Sequence, residues 1–557
     1  MSLMSMRRKM ASKKTATYIL WSLIVVFLVG VALWSVPGKG IGKQYGDSPF
    51  ANKVVAKING EKVTAGQIDE EFYKQQDNGQ QYDLQSAPQT RFQIFDGIVH
   101  RLVAEQTAKK LHVRTWSWTL RSVAREVAQT QLASMHAQAQ EQAKAQAASA
   151  KTPADKSKLQ TADQMFKAQL SQALSQYGDT TKNPTEDDFV RAFVRTAMSR
   201  QEKVGMYDQL VSFAQTYLIG EEVAKDQHTS PFSEDFAKKV NTKEVKASWI
   251  FIAAPQNNAQ GLNEAKQKAS KLHEDIIKAP NTFAAVAKKE SADFMTKTQG
   301  GDLGWVSLKS SNVSIMAQYL AFIQREGEIG PIVEIAMSSP FGGPSQIGYA
   351  FVKVDAIRDS ADAKDFNWAK EKESAMVSTK VRFAQGFGQN YLELQTAKAK
   401  IVRLSDELKY YDAMMTNPVE AEKLVTKLQD DKSIPPVVAA AFKYQVAEKT
   451  TDPAQKAVLL ENVISYGGAQ VPNLQMELGR AYTASGQKDK ALQQFGFVAD
   501  GADSNDPDHS MHTALKTEYA KLGDTKNVQR MVTWMKSHPK QAAPQGMGGG
   551  MPMMMNR

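Results

Sequence analysis

In the stretch Ser291-Ala-Asp-Phe-Met-Thr-Lys-Thr-Gln-Gly-Gly-Asp-Leu-Gly-Trp305, three glycines follow an acidic residue and precede an aromatic one. Glycines at this density supply tight turns with positive φ, so the stretch reads as a turn between two regular elements. Upstream, Thr282-Phe-Ala-Ala-Val-Ala-Lys-Lys-Glu-Ser291 reads as a helix, 263–279 as a longer amphipathic helix, and Lys246-Ala-Ser-Trp-Ile-Phe-Ile-Ala253 as a strand. Downstream, Gly327-Glu-Ile-Gly-Pro-Ile-Val333 reads as a glycine turn and Gly348-Tyr-Ala-Phe-Val-Lys-Val354 as a closing strand. Strand, helix, helix, glycine turn and strand in that order predict a small α+β domain.

The flanks are helical in texture. Val54-Val-Ala-Lys-Ile-Asn-Gly-Glu-Lys-Val63 predicts a hairpin around an Asn-Gly turn. Thr64 then caps a helix through Gln67, with Ile68, Phe72 and Tyr73 on its apolar face. Phe92, Phe95, Ile98, Val99 and Leu102 recur at helical spacing, an Ala/Gln-rich run at 131–150 reads as an exposed helix, and 366–401 is a further long helical pattern. From 405 the texture changes. Leu478, Gly479, Tyr482, Gly486, Ala491 and Phe495 fit a helix pair resembling tetratricopeptide (TPR) repeats, and Tyr444, Tyr482 and Tyr519 recur at close to the ~34-residue period of such repeats. The repeats serve either as a groove for an extended peptide or as a structural cap.

At 557 residues the chain needs more than one core, and a composition of 42% hydrophobic and 23% charged residues with mean hydropathy −0.42 excludes a polytopic membrane protein. Arg7, Arg8, Lys9, Lys13 and Lys14 carry half of the +10 formal charge, and no basic stripe with interleaved aromatics marks a nucleic-acid binder. Cysteine is absent and the eight histidines are scattered, so no metal site is expected, and the chemistry predicted here needs no cofactor. The uncharged run at 17–36, flanked by Tyr18, Trp21 and Trp34 and preceded by the basic cluster, predicts an uncleaved transmembrane anchor with its N-terminus inside.

The 54–64 opening followed by a helix at 98–111 resembles the N-terminal domains of SurA/PpiD/PrsA-type chaperones, and the ordered landmarks between 244 and 359 are similar to a parvulin-type peptidyl-prolyl isomerase domain. The resulting expectation is a mainly α, multidomain chain. It comprises a basic tail (1–16), anchor (17–37), linker (38–52), SurA-like helical chaperone domain (53–243, completed by 364–402), α+β parvulin-like domain (244–359), TPR-like helical repeats (405–540) and a Gly/Met-rich tail (541–557). The resemblance implies a single-pass protein of a bacterial inner membrane, its bulk periplasmic, binding unfolded or newly translocated polypeptides, with no nucleic-acid partner.

Prolyl isomerisation crosses a barrier of ~20 kcal/mol set by amide resonance, and a shaped pocket with preorganised polar groups suffices to lower it. In parvulins those groups include two histidines and a Cys or Asp. The resemblance puts Trp249 and Ala350 at the histidine positions and Asp293 at the acidic one, with Trp249, Met316, Tyr319, Phe322 and Tyr349 as candidate substrate contacts. Two of the three polar groups are therefore missing, and the domain is expected to bind apolar or proline-containing segments while turning them over weakly or not at all. An active isomerase using Asp293, and a scaffold docking secretion machinery or another envelope protein through its repeats, are the alternatives. A residue such as Asp293 also serves commonly as a cap on local backbone.

Overall fold

The computed structural model describes residues 49–538, apart from 78–83, 85, 150–158, 200–205, 229, 256–258, 310–314, 338–344, 365, 466–471 and 504–505. The chain divides into two compact units, one built on Gly97–Lys400 and the other on Gly40–Asp96 with Ile401–Arg557. The expected anchor at 17–37 and tail at 541–557 lie outside the described residues, as does most of the linker. Placement as a single-pass membrane protein is corrected: among the described residues no helix is long and apolar enough to cross a membrane.

The hairpin forms as the sequence requires. Strands β1 (Val54–Ile58) and β2 (Glu61–Thr64) pair antiparallel. Asn59 and Gly60 between them take φ of 50° and 91°, the conformation a two-residue hairpin turn needs. The Thr64 N–H donates to the Gln67 side chain at 2.9 Å, opening α1 (Ala65–Asp77). Helix α2 (Ser86–Lys110) follows. The remaining helices before the larger sheet are α3 (Ser117–Ser149), α4 (Ala162–Gln176), α5 (Glu186–Ala197), α6 (Met206–Gln227) and α7 (Glu234–Thr242). Capping boxes at Thr161 with Gln164 and at Thr185 with Asp188 fix where α4 and α5 begin.

Strand β3 (Lys243–Ala253), helices α8 (Ala259–Lys278) and α9 (Phe283–Glu290), β4 (Asp302–Ser307), α10 (Ile315–Leu320), β5 (Val333–Met337) and β6 (Gln346–Asp359) form the predicted α+β domain. The sheet is antiparallel, in the order β4-β3-β6-β5. Alternation along β3 and β6 gives it two apolar faces. Ile250, Ile252 and Phe351 pack against Ala265, Ala269 and Ile276 of α8 and Phe283 and Ala287 of α9. Trp249, Phe251, Ala350 and Val352 on the other face join a cluster with Phe236 of α7, Leu320 of α10, and Phe383 and Phe387 of helix α11 (Trp368–Lys398).

Helix α11 packs against α3, α6 and α7 as well as this sheet. Its crossing with α6 needs two glycines. A Cβ on Gly388 would sit 1.9 Å from the Thr216 carbonyl oxygen, and one on Gly220 would sit 1.7 Å from that of Ala384.

In the other unit, β7 (Ile401–Arg403) adds to β1 to make a three-stranded sheet, β2-β1-β7. Helices α12 (Asp406–Thr416), α13 (Pro418–Leu428), α14 (Pro436–Lys449), α15 (Pro453–Ser465), α16 (Pro472–Ala484), α17 (Lys488–Ala502), α18 (Ser510–Lys521) and α19 (Thr525–Ser537) follow, each packed on the next. Arg91 of α2 is buried here between Asp69 of α1 at 2.6 Å and Glu407 of α12 at 2.7 Å.

Candidate functional site

The turn after α9 lies along β3. Ala292 N–H donates to the Phe251 carbonyl at 2.7 Å, and the Ser291 hydroxyl accepts from Phe251 N–H at 3.2 Å. Trp249 N–H donates to the Gly301 carbonyl at 3.0 Å. Gly301 has φ 81°, and a Cβ on it would come 2.2 Å from the Trp249 carbonyl oxygen, which accounts for glycine at this place in the stretch.

This arrangement brings Asp293 to Trp249. The indole Nε1–H donates to Asp293 Oδ2 and to Thr296 Oγ1, both at 2.9 Å, and the Thr296 hydroxyl donates to the same carboxylate oxygen. The other oxygen, Oδ1, accepts from Met295 N–H at 3.1 Å. Asp293 and Trp249 are only 3% and 5% exposed, so the carboxylate is enclosed and its acceptors are engaged by its own surroundings. Ala350 is fully buried on the same sheet face, opposite Phe251.

Tyr319 is buried edge-on to Phe387, with ring centroids 5.8 Å apart, and burial, with Glu334 nearby, pushes its phenol well above the ordinary range. Phe322 stacks on His228 at 3.6 Å and on Phe236 at 4.6 Å. The side chain of Met316 lies outside the described residues. Tyr349 is not brought to this group: it pairs with Ile252 and packs on the opposite face of the sheet, toward α8 and α9.

Two half-buried cations that spacing alone did not single out hold the segment around α10 in place. Arg382 of α11 donates to the carbonyl oxygens of Leu308, at 3.1 Å, and Lys309. Lys239 of α7 donates to those of Ile323 and, at 3.5 Å, Leu320. Burial pushes the Arg382 guanidinium down to about 10 and the Lys239 ammonium down to about 8, so neither is held by a strong carboxylate partner. His228 was also missed, since a lone histidine carries no spacing signal; burial lowers its pKa. Thr296 was visible in the quoted stretch, three residues after Asp293, but only the folded turn shows that it shares the indole proton.

Chemically, the face is a closed apolar layer with one satisfied carboxylate. Among the described residues no group of three or more His, Asp or Glu side chains could hold a metal ion.

Residues 3–137 match the SurA-like N-terminal domain family, and residues 233–342 match the PPIC-type PPIASE domain family. The chain carries a SurA-like N-terminal domain and a PPIC-type isomerase domain. Both agree with the resemblance seen in the sequence. Foldase protein PrsA of Staphylococcus aureus strain Newman, and likewise that of strain JH1, is 26% identical over 208 residues, or 37% of this chain and 56% of the relative. The match thus spans about half the length of these curated relatives. Among crystal structures, the peptidylprolyl isomerase PrsA from Bacillus anthracis is 21% identical, covering 40% of this chain and 83% of that one with a TM-score of 0.18. Foldase protein PrsA from Streptococcus pneumoniae is 18% identical, covering 61% and 91% with a TM-score of 0.16.

Proposed function

We propose that this chain is a foldase of the SurA/PrsA type that holds unfolded polypeptides, and that its PPIC-type domain serves as architecture and not as an isomerase. The observation that carries this reading is the closure of the sheet face bearing Trp249 and Ala350 by Phe236, Leu320, Phe383 and Phe387. An isomerase must admit a prolyl ring beside a polar group free to favour the twisted amide. Here the volume is filled by side chains of the same chain, the positions of both expected histidines are apolar or indole, and the Asp293 oxygens are already engaged.

The domain limits proposed are 53–243 with 364–402 for the chaperone part, 244–359 for the isomerase-like part and 405–540 for TPR-like repeats. In favour of the last, Leu478, Tyr482, Ala491 and Phe495 are buried in one cluster. A Cβ on Gly479 would lie 2.4 Å from the Phe495 ring, so the two helices pack closely at this glycine and a larger residue would have to displace the ring.

The test is aggregation of a chemically unfolded client, followed by light scattering with the full chain, alongside protease-coupled isomerisation of a proline tetrapeptide series. Suppressed scattering with no acceleration of isomerisation is expected. Unsuppressed scattering overturns the holding function, and turnover lost in Asp293→Ala overturns the architectural role of the domain.

A further inference from the structure

Between α2 and the first turns of α3 the chain leaves two tryptophans in solvent: Trp116 is 53% exposed and Trp118 is 72% exposed. No other tryptophan among the described residues is as open; Trp305, at 40%, has the Arg358 guanidinium 3.9 Å over its ring. An exposed indole costs hydration free energy that a buried one does not, so an adjacent pair demands a reason.

The charge around the pair is one-sided. From 109 to 125 the sequence carries five lysines and arginines and no Asp or Glu. Lys109 and Lys110 close α2, and Arg114, Arg121 and Arg125 are all exposed. Trp118, Arg121 and Arg125 are spaced i, i+3 and i+7 along α3, so they share one helix face. Arg114 lies 5.7 Å over the Trp116 ring, which sets a cation beside the first indole. The opposite face of α3 is core, with Leu120, Val123 and Ala124 buried, so the helix is anchored and its tryptophan-arginine face is presented on a fixed support.

We infer that this surface is a client-binding site for unfolded segments that combine aromatic or aliphatic side chains with acidic ones. This rests on the holding function proposed above and adds to it where the client lies and which chemistry it carries. The indoles offer wide apolar planes with little side-chain entropy to lose, and tryptophan and arginine are among the residue types enriched in the hot spots that carry most of the binding energy at protein interfaces. The surrounding cations, with no carboxylate among them in the sequence, favour an acidic occupant through charge complementarity and accelerate its capture at low salt.

The experiment uses the full chain and one permanently unfolded polypeptide in two forms, reduced and carboxymethylated (acidic) or reduced and aminoethylated (basic), with affinity read by fluorescence anisotropy of the labelled polypeptide. The carboxymethylated form is expected to bind more tightly. Trp116→Ala with Trp118→Ala should weaken both forms by about tenfold or more. Arg121→Glu with Arg125→Glu should abolish or reverse the preference for the acidic form while the indoles remain. Both pairs are solvent-facing, so unchanged circular dichroism is expected and checks the fold. Wild-type affinity retained in both variants overturns the site while leaving the holding function intact; no binding of either form by the wild type overturns the holding function itself. Equal displacement of both forms by heparin, with tryptophan replacement without effect, would show a polyanion surface and also overturn the assignment.

Discussion

Replacing Asp293 by alanine separates a structural carboxylate from a catalytic one. The substitution strips the acceptor from the Trp249 indole, which keeps only Thr296, and from the Thr296 hydroxyl and the Met295 amide. Leaving a buried donor unmatched costs ~1–3 kcal/mol, and hydrogen bonds to a charged acceptor lie toward the upper end. With Thr296 free to rotate and retain the indole, the loss is about 2–4 kcal/mol, not the sum of three bonds. Since ~1.4 kcal/mol is a factor of ten, local opening should become about 30- to 700-fold more frequent. Hydrogen exchange measured by mass spectrometry, under conditions where reclosing outpaces exchange, reads this at the Trp249 and Ala292 amides, which tie β3 to the turn. Asp293→Asn keeps an acceptor oxygen and should fall between wild type and alanine. Unchanged protection at these amides in Asp293→Ala would refute the structural assignment.

Gly388→Ala should separate α6 from α11, because its Cβ meets the Thr216 backbone carbonyl and not a side chain that can turn away. About 3 kcal/mol or more of destabilisation is expected, seen as a lowered transition in thermal unfolding. Arg91→Met should cost about 3–5 kcal/mol by leaving Asp69 and Glu407 buried without their cation. Replacing all three by apolar residues should recover much of that loss in urea unfolding. Burial would raise the Asp506 carboxyl, but hydrogen bonds from the His512 amide and ring and the Met511 amide carry it below the ordinary value. A depressed folded value means that this stabilisation is present above about pH 4, the unfolded carboxyl value, and is lost as pH falls through the folded one. Asp506→Asn should flatten the acid limb of a stability-against-pH curve.

Local elements were legible where local chemistry decides them. Asn59-Gly60 fixes the hairpin, Gln67 the start of α1, and Gly300-Gly301 the turn beneath Trp249. The strand expected at 246–253 runs Lys243–Ala253, and the helix expected at 366–401 runs Trp368–Lys398. Strand β7 was not read, since three residues carry no usable alternation and Ile401–Arg403 becomes a strand only by pairing with β1. The sequence points to Asp293 and Trp249 separately, but not to their hydrogen bond, which depends on Gly301 admitting the turn against β3. Tyr349 is expected among the substrate contacts, yet adjacent residues on a strand point to opposite faces, and Tyr349 lies on the face away from Ala350. Closure of the face by Phe383 and Phe387 was illegible, because those residues lie more than thirty positions beyond Ala350 and only the return of α11 brings them there.

The central claim, holding without isomerising, is tested most directly by the refolding of a client whose slow phase is prolyl isomerisation, followed with increasing amounts of the full chain. The account predicts that the slow-phase rate constant never rises above its value without the chain, while the refolded fraction falls as unfolded client is retained. A slow phase that accelerates in proportion to the chain added would contradict it.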